Sequence, residues 1–484
     1  MLEWAAFDGL ICGQYRAFME GCMRKLMLML SCGTLAAAAG TSGTVTFNKD
    51  VLPILQSNCQ SCHRPGEVAP MSFLTYQETR PWAKAIKAAV LSKKMPPWFA
   101  DGKYGHFQNE RRLTEAQTKA LASWADNGAP EGEAKDKPAS LSFTEGWNIK
   151  PDVTIEMPTP FEVPASGIIE YQYIVVPTHF DKDVWVTAAE VRPGNRTVMH
   201  HVIIYVRPPG STYLANAKPG VPFVPVTFER DANGAAIRRA PQQAPQAAAQ
   251  GAQQANAPRP QQGVGSMAGV ELLTAYAPGL QAQHFDAPIA DAAKFVPAGS
   301  DFVFQLHYTT NGKAATDQTK IGLTFASKPP KYRYFTSNAT QQGFEIPPND
   351  PNYESHSAVV INEPAQLVWL MPHMHVRGKD FLYEAAYPTG ETETLLSVPR
   401  YDFNWQLGYE EAKPLPLPKG TRIECTAHHD NSANNPYNPN PNVTVRWGDQ
   451  TWEEMMMGFF AVVVDAGVKP QDVIGRAAPR KPAL

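Results

Sequence analysis

The chain has 484 residues, enough for two to four domains. Its formal net charge of -3 and isoelectric point near 6.5 leave no basic footprint, which argues against nucleic acid as a partner. Proline (44) outnumbers glycine (34) and charged residues make up only 18%, so the composition favours a loop-rich, mainly β protein over a helical bundle.

Residues 1–43 are predicted to be an N-terminal extension followed by an export signal. From Met23 the chain has two basic residues, an apolar run and a small-residue stretch, which is the order of a signal peptide. We therefore expect translation to start at Met23, cleavage near residues 37–40, and a periplasmic or secreted protein. The alternative is a lipoprotein anchored through Cys32. No other stretch predicts a transmembrane span, so none is expected in the mature chain.

The sequence Cys59-Gln60-Ser61-Cys62-His63 is the attachment signature of a c-type haem. On a helix, Cys59, Cys62 and His63 share one face, so two thiols can bond the porphyrin while the imidazole binds iron. A CxxC can instead be a dithiol redox pair or half of a zinc site. The chain has no second CxxC and no βαβ pattern around this one, so we predict covalent haem c.

Residues 44–130 are predicted to form a small α-helical domain around this haem. Helices are expected over residues 81–94 and 114–126. The second has Thr114 as its N-cap and Gln117 three residues later, the pattern of a capping box. Its predicted core-facing residues are Leu113, Leu121 and Trp124.

Met95 is the predicted sixth ligand of the haem iron. Two prolines follow it and hold the chain extended, which lets the thioether reach the iron. A Met/His ligand pair raises the haem potential and suits electron transfer. The alternatives are that Met95 only packs, or that His106 is the ligand. The segment resembles class I c-type cytochromes over nearly its whole length.

After a polar linker at 131–150, short apolar strands separated by turn residues predict two β-sandwich (jelly-roll-like) domains. The first is expected at 151–330 and the second at 331–468, followed by a tail. The tail is assigned to residues 469–484. An Ala/Gln/Pro-rich stretch at 238–264 lacks periodicity and predicts a disordered insertion in the first domain.

Ten of the twelve histidines lie beyond the helical segment, and six of these occur in pairs. His373 and His375 are two apart, so on a strand they point to one face and suit a metal ion. His200 and His201 are adjacent and point to opposite faces of a regular strand. They can share a metal only at a bulge, at a strand end, or through different ring nitrogens. Either pair can also be purely structural, and His307 lies alone in another strand.

Five motifs occur in an order that resembles the copper type II, ascorbate-dependent monooxygenases, the family of peptidylglycine α-hydroxylating monooxygenase and dopamine β-hydroxylase. The resemblance covers about residues 150–465. The motifs are Met199-His200-His201, Gln305-Leu306-His307-Tyr308, His373-Met374-His375-Val376-Arg377-Gly378-Lys379, Cys425-Thr426 and Glu453-Glu454-Met455.

The resemblance implies two copper ions with three protein ligands each. The ligands of the first would be His200, His201 and His307. The ligands of the second, where the substrate reacts, would be His373, His375 and Met455. Three imidazoles tolerate both copper states, whereas a thioether favours Cu(I), the state that meets O2.

The chain departs from the family at positions that bear on the substrate. In the family, the cysteine at Cys425 forms a disulfide with a cysteine that is Met456 here. The residues that anchor a peptide carboxylate in the peptide-processing enzyme are replaced by Met371, Met457 and Phe459. These replacements predict a more apolar substrate.

His428 and His429 begin an Asn/Pro-rich loop that the resemblance does not explain. The loop is predicted to be structural, with the alternative that His429 lines or binds the second copper site.

Taken together, the motifs predict a copper-dependent monooxygenase that hydroxylates a small molecule with O2. Electrons would come from a periplasmic donor through the haem, in place of or alongside ascorbate. The first alternative is a haem electron-transfer protein whose β domains only bind a ligand. The second is a copper storage or delivery protein, because His and Met clusters suit Cu(I).

Overall fold

A computed structural model describes residues 44–143, 146–224, 228–230, 236–238 and 269–477. The predicted extension and signal at 1–43 lie outside the described residues, and so does the predicted insertion apart from residue 238. The chain is mainly β, with several sheets and a smaller helical share, which confirms this part of the prediction.

The helices lie mostly before residue 130 and pack around a small hydrophobic core of their own. In the described ranges, no helix combines the length and the apolar run needed to cross a bilayer. The helices are α1 (Leu52–Asn58), α2 (Tyr76–Thr79), α3 (Ala83–Leu91), α4 (Glu115–Asp126) and α5 (Pro470–Val473). A π-helical turn covers Phe47–Val51, and 3-10 turns cover Arg80–Trp82 and Ala134–Asp136.

Helix α4 follows the prediction closely. The Thr114 side chain accepts from the N–H of Gln117 (3.1 Å), and the Gln117 side chain accepts from the N–H of Thr114 (2.8 Å), which completes the capping box. Leu121 and Trp124 are fully buried in the helical core. The other predicted helix is shorter, because the chain takes a positive φ of 56° at Lys93 soon after α3 ends.

Residues 97–112 leave the helical core and cover the edge of a sheet. Trp98 and Phe107 belong to the core of the β region, and Phe107 forms a bridge with Glu411 in β20 (Tyr409–Leu417). The N–H of Ala412 donates to the carbonyl of His106 (2.7 Å). An edge strand with unpaired backbone groups is thereby covered. Residues 97–112, which were predicted to belong to the helical domain, thus attach that domain to the β region.

The strands of the first half of the β region begin at residue 153. They are β1 (Val153–Glu156), β2 (Phe161–Val163), β3 (Gln172–Pro177), β4 (Val184–Arg192), β5 (Met199–Arg207), β6 (Phe228–Arg230), β7 (Ala236–Arg238), β8 (Glu271–Tyr276), β9 (Gln283–His284), β10 (Ala292–Val296), β11 (Asp301–Tyr308), β12 (Ala315–Asp317) and β13 (Lys320–Phe325).

The strands of the second half contain long runs of buried residues. They are β14 (Tyr332–Thr340), β15 (Glu345–Ile346), β16 (Tyr353–Ile361), β17 (Ala365–His373), β18 (Gly378–Ala386), β19 (Thr392–Val398), β20 (Tyr409–Leu417), β21 (Arg422–His429), β22 (Val445–Arg446), β23 (Met457–Asp465) and β24 (Ile474–Arg476).

One long sheet runs through both halves in the order β1-β13-β4-β10-β14-β23-β17-β20, with β9 beside β4. The halves meet where β10 pairs with β14 in parallel, Ala292 opposite Tyr332 and Ala293 opposite Arg333. A predicted boundary near residue 330 therefore corresponds to a chain connection, and the sheet continues across it. Short two-stranded pairs complete the set: β2 with β12, β15 with β22, and β6 with β7.

Two further sheets pack against this long one and give each half a sandwich-like core. The sheet β3-β11-β5-β8 lies against the first half, with β8 next to β4 and β14. The sheet β19-β18-β21-β16-β24 lies against the second half. Strand β24 belongs to the segment predicted as a tail, and Val473 before it is fully buried, so residues 470–476 are folded.

Candidate metal centre

A β-bulge brings His200 and His201 to the same side. In the pairing of β5 with β11, His201 lies opposite His307 while Met199 lies opposite Tyr308, so His200 is the extra residue. Two adjacent histidines can then share one site, which a regular strand forbids. Of the three arrangements that the sequence left open, the structure has the bulge.

The three histidines of the first cluster, His200, His201 and His307, offer ligand atoms that all lie within 4.8 Å of one another. The Nδ1 atoms of His200 and His201 are 3.0 Å apart, and those of His200 and His307 are 3.1 Å apart. Two nitrogens bound to one ion at about 2.0 Å lie about 3 Å apart when the angle is near 100°. The nitrogen positions therefore fit a metal ion with three imidazole ligands.

Burial keeps these imidazoles neutral. It lowers the pKa of His200 to about 4. It also holds the pKa values of His201 and His307 well below the ordinary value, and the neighbouring imidazoles lower them further. Because a metal binds the deprotonated ring, the cluster is ready to bind at neutral pH without releasing protons.

The second cluster contains His373 and His375, whose rings are 5.4 Å apart and nearly perpendicular. Nδ1 of His373 lies 2.7 Å from Oε1 of Gln406, and Nδ1 of His375 lies 3.2 Å from the carbonyl of Glu453. These acceptors favour the tautomer with a proton on Nδ1, which leaves Nε2 as the metal-binding atom. Nε2 of His375 is buried and has no hydrogen-bond partner among the described residues.

Glu454 ties Met455 to the His-x-His segment. Its Oε2 accepts from the N–H groups of His375 (2.9 Å) and Met455 (3.1 Å), and its Oε1 accepts from the N–H of Arg377 (2.6 Å). Burial raises the pKa of Glu454 to about 7, and the Arg377 charge opposes the shift. Met455 is itself buried. The backbones of the two predicted ligand segments are thus joined through one carboxyl group.

The two clusters adjoin each other. The rings of His201 and His373 are 6.4 Å apart. Tyr171 lies against both clusters, with its ring 4.4 Å from that of His307 and 6.1 Å from that of His375. The predicted ligands of both sites therefore lie side by side in one buried region, called the compartment below.

Phe403 lies against both clusters. Its ring stacks on His200 at 4.9 Å with an interplanar angle of 18°, and it lies 6.2 Å from the ring of His375. The loop that carries Phe403 also carries Gln406, the partner of His373. Tyr171, Phe403 and Gln406 could not be recognised in the sequence, because aromatic and amide residues in connecting segments are common and carry no motif.

The positions expected to determine the substrate line one face beside His373. Met371 pairs with Phe459 and His373 pairs with Met457 in the register of β17 with β23. Residues two apart on a strand share a face, so the two methionines and the phenylalanine flank the imidazole. All three are buried, which makes this face apolar.

Cys425 is buried with a free thiol, and burial raises its pKa well above the ordinary value. A Cβ atom on Gly458 would lie 2.4 Å from its sulfur. The thiol thus fills the space between β21 and β23.

His429 lies beside Met455, a predicted ligand of the second copper. Its ring is fully buried, and Nε2 is 3.4 Å from the carbonyl of Met455. Burial lowers its pKa to about 4. His428 lies on the other face, with Nδ1 2.6 Å from Asp380 and Nε2 3.2 Å from Glu354. Of these two histidines, His429 is therefore the one that lies next to a predicted copper ligand.

The haem motif lies in a turn after α1, which ends at Asn58, and not within the helix. The N–H groups of Cys62 and His63 both donate to the carbonyl of Cys59 (3.1 and 2.9 Å), so the turn keeps a helix-like spacing. The His63 ring stacks on Phe73 at 4.3 Å. Burial lowers the pKa of His63, and the Met71 carbonyl opposes this shift. The turn thus keeps two free thiols and an imidazole close together in the chain, and the attachment of haem to them stays a prediction.

Met95 is half-buried at the end of the connection after α3, and the Met95–Pro96 peptide is cis. Its role as an iron ligand stays a prediction. His106, the alternative ligand, lies in the segment that covers β20.

No family model and no curated protein matches the chain. A structure of the infectious bursal disease virus Gt strain is similar at 10% identity and a TM-score of 0.19, over 71% of this chain and 79% of that chain. A structure of the Macrobrachium rosenbergii nodavirus is similar at 11% identity and a TM-score of 0.16, over 70% and 100%. At TM-scores this low, the similarities carry no information about function.

Proposed function

We propose that this protein is an exported copper-dependent monooxygenase with a fused c-type haem. The observation that carries the proposal is the bulge in β5, which gathers His200, His201 and His307 beside the His373–His375 pair. A bulge costs ladder hydrogen bonds, and its effect here is to bring two adjacent imidazoles into one site. Purely structural histidines do not require that arrangement.

Each part of the proposed centre has a separate task. His200, His201 and His307 hold one copper in an all-imidazole site that suits storage of an electron. His373, His375 and Met455 hold the other, and Gln406 fixes the ring of His373. When bound, the two coppers would supply the two electrons which, with two protons from solvent, convert O2 and a C–H bond into a hydroxyl group and water, and the haem would supply electrons one at a time.

The substrate is proposed to be a small, apolar organic molecule. Met371, Met457 and Phe459 form an apolar face next to His373, and they offer no cation to a substrate carboxylate. Burying a carboxylate there would leave it unpaired, which costs several kcal/mol. Turnover of a glycine-extended peptide at a rate typical of enzymes would contradict this part of the proposal.

The deciding experiment measures copper per covalent haem in protein matured with haem and copper. We expect about two coppers per haem in the wild type and about one in Met455→Ala, because the thioether is one of three ligands at its site. Met456→Ala is the matched control, since it removes an adjacent, buried methionine that is not a predicted ligand.

Little or no copper in the wild type would contradict the monooxygenase proposal and favour a haem electron-transfer protein. Equal copper loss in both variants would show that Met455 acts through stability and is not a ligand.

A further inference from the structure

Arg377 is a buried cation two residues after His375. Its side chain is only 1% exposed. The Nε–H group donates to Oδ1 of Asn431 (2.8 Å), and an Nη1–H group donates to the carbonyl of Trp452 (2.8 Å). A buried charge is costly unless hydrogen bonds replace its hydration, so these two acceptors determine where the guanidinium lies.

The Trp452 carbonyl attaches this guanidinium to the turn that leads to Met455, three residues later. The same turn is attached to the His-x-His segment a second time, because Glu454 accepts from the N–H groups of His375 and Met455. The turn is thus held at both of its ends by residues 375–377. The position of Met455 relative to His375 depends on these two attachments.

Asn431 holds the Arg377 side chain from the other side. It is fully buried, and its amide group makes four hydrogen bonds. Its Oδ1 accepts from Arg377 and from Nδ2 of Asn438 (3.1 Å). Its Nδ2 donates to the carbonyls of Pro347 (2.8 Å) and Val443 (3.0 Å). An amide has two acceptor positions and two donor hydrogens, so these bonds fix the orientation that presents the oxygen to the guanidinium.

The Asn/Pro-rich loop also holds the backbone of residues 376–377. The N–H of Asp430 donates to the carbonyl of Arg377 (2.7 Å), and Nδ2 of Asn435 donates to the carbonyl of Val376 (3.1 Å). The loop that the family resemblance leaves unexplained therefore lies against the segment directly after His375.

Stability alone does not account for a buried cation at this place. Apolar side chains of similar volume often stabilise a core as well as a buried ion pair does, or better. A guanidinium carries a rigid set of donors, so it can hold two separate groups at a fixed spacing, which an apolar side chain cannot do. In this chain the two groups are the Asn431 amide and the Trp452 carbonyl.

We propose that Asn431 and Arg377 are positioning residues that hold the Met455 turn against the His-x-His segment and thereby give the second site its thioether ligand. The proposal rests on the proposed function and assigns a task to the Asn/Pro-rich loop. Neither residue binds copper. Without them, the turn would be free to move away and leave a site with imidazole ligands alone, which favours Cu(I) less.

The test uses Asn431→Ala and Arg377→Lys in the full chain. Arg377→Lys loses the fork of donors but keeps a cation near Glu454, so the variant can fold without an uncompensated buried carboxylate. Asn440→Ala is the matched control, because it removes an exposed amide of the same loop, which accepts from the N–H of Asn442 (3.0 Å).

The first readout needs no copper: hydrogen exchange of the backbone N–H groups of His375 and Met455, which donate to Glu454. We expect exchange about tenfold faster in Asn431→Ala and Arg377→Lys, the size expected for one lost charged hydrogen bond. Asn440→Ala should exchange like the wild type. Exchange in β5 and β11, which carry the first cluster, should not change. Equal acceleration in those strands would show a loss of overall stability and overturn the positioning role.

The second readout follows copper at the second site. X-ray absorption of the Cu(I)-loaded protein reports the copper–sulfur contact, and titration against a chelator gives the affinity of each site. Asn431→Ala and Arg377→Lys should lose most of the copper–sulfur signal and bind Cu(I) at the second site about 10–100-fold more weakly. The first site should keep its affinity in both variants, and Asn440→Ala should match the wild type at both sites.

Wild-type exchange or a wild-type copper–sulfur signal in both Asn431→Ala and Arg377→Lys would overturn the proposal. A wild-type protein without copper at the second cluster would instead contradict the proposed function. The exchange readout on the copper-free protein would then still decide whether these two residues hold the Met455 turn.

Discussion

At the scale of single residues, the candidate site divides into side chains that the sequence identifies and side chains that it does not. His373 and His375 lie in a strong strand pattern, and the bulge at His200 explains how two adjacent imidazoles meet. Gln406 and Phe403 come from a loop of ordinary composition. Their roles depend on which loop reaches the compartment, and strand periodicity does not encode that.

Gln406→Leu should weaken copper binding at the second cluster by about 10–100-fold, because the acceptor that orients the His373 ring is lost. Gln406→Glu keeps an acceptor and should retain most of the affinity. Competitive titration of Cu(I) against a chelator measures both. Asn404→Ala is the control, since the described hydrogen bonds of its backbone and side-chain N–H groups go to Asp402 in the same loop. Equal affinities for Gln406→Leu and Asn404→Ala would disprove the orienting role.

At the scale of elements, the strands could be predicted well and their partners could not. The region after residue 150, predicted to consist of short apolar strands, does form strands, because alternation and β-branched residues are local signals. The capping box at Thr114 is equally local. The covering of β20 by residues 97–112 depends on contacts about 300 positions apart, which local patterns cannot show.

Phe107→Ala should lower the free energy of unfolding by about 3–5 kcal/mol, because the ring is buried against Trp98 and Tyr409. Tyr104→Ala, in the same segment but 40% exposed, should lower it by less than about 1 kcal/mol. Urea denaturation of both variants provides the comparison. Equal small losses would mean that the segment does not belong to the β core.

Lys294 in β10 should make the free energy of unfolding depend on pH in the alkaline range. It is fully buried between the rings of Phe285 and Tyr334, and burial lowers its pKa to about 8, opposed by Glu271. The pKa of this lysine is about 8 in the folded chain and 10.5 in the unfolded chain, so the unfolded chain binds the proton more tightly. Burial of the charged lysine therefore lowers the free energy of unfolding by its full amount below pH 8, and this loss disappears as the pH rises toward 10.5.

Relative to Lys294→Met, the wild type should therefore gain about 3 kcal/mol of stability between pH 8 and 10.5. Denaturation of both proteins across this range measures the difference. A difference that does not change with pH would contradict the lowered pKa.

At the scale of the whole molecule, the haem motif and the histidine clusters lie in parts with separate cores. Replacing both Cys59 and Cys62 by serine should therefore abolish covalent haem yet leave about two coppers per chain. Metal analysis and haem absorbance of the double variant test this. Loss of copper together with haem would show that the two parts do not fold independently. The sequence indicated these parts through composition and motif order, but not the sheet that joins the two β halves.

That continuous sheet limits how the centre can move. Strands β10 and β14 join the halves edge to edge, and β8 lies across the junction. Drawing the two histidine clusters apart would break backbone hydrogen bonds, so we expect the halves to move as one body. Access to the compartment then depends on rotation of side chains such as Phe403 and on loop motion, which take picoseconds to microseconds, and not on slower domain closure. We accordingly expect the substrate to enter faster than it is turned over. The turnover rate should therefore depend little on solvent viscosity.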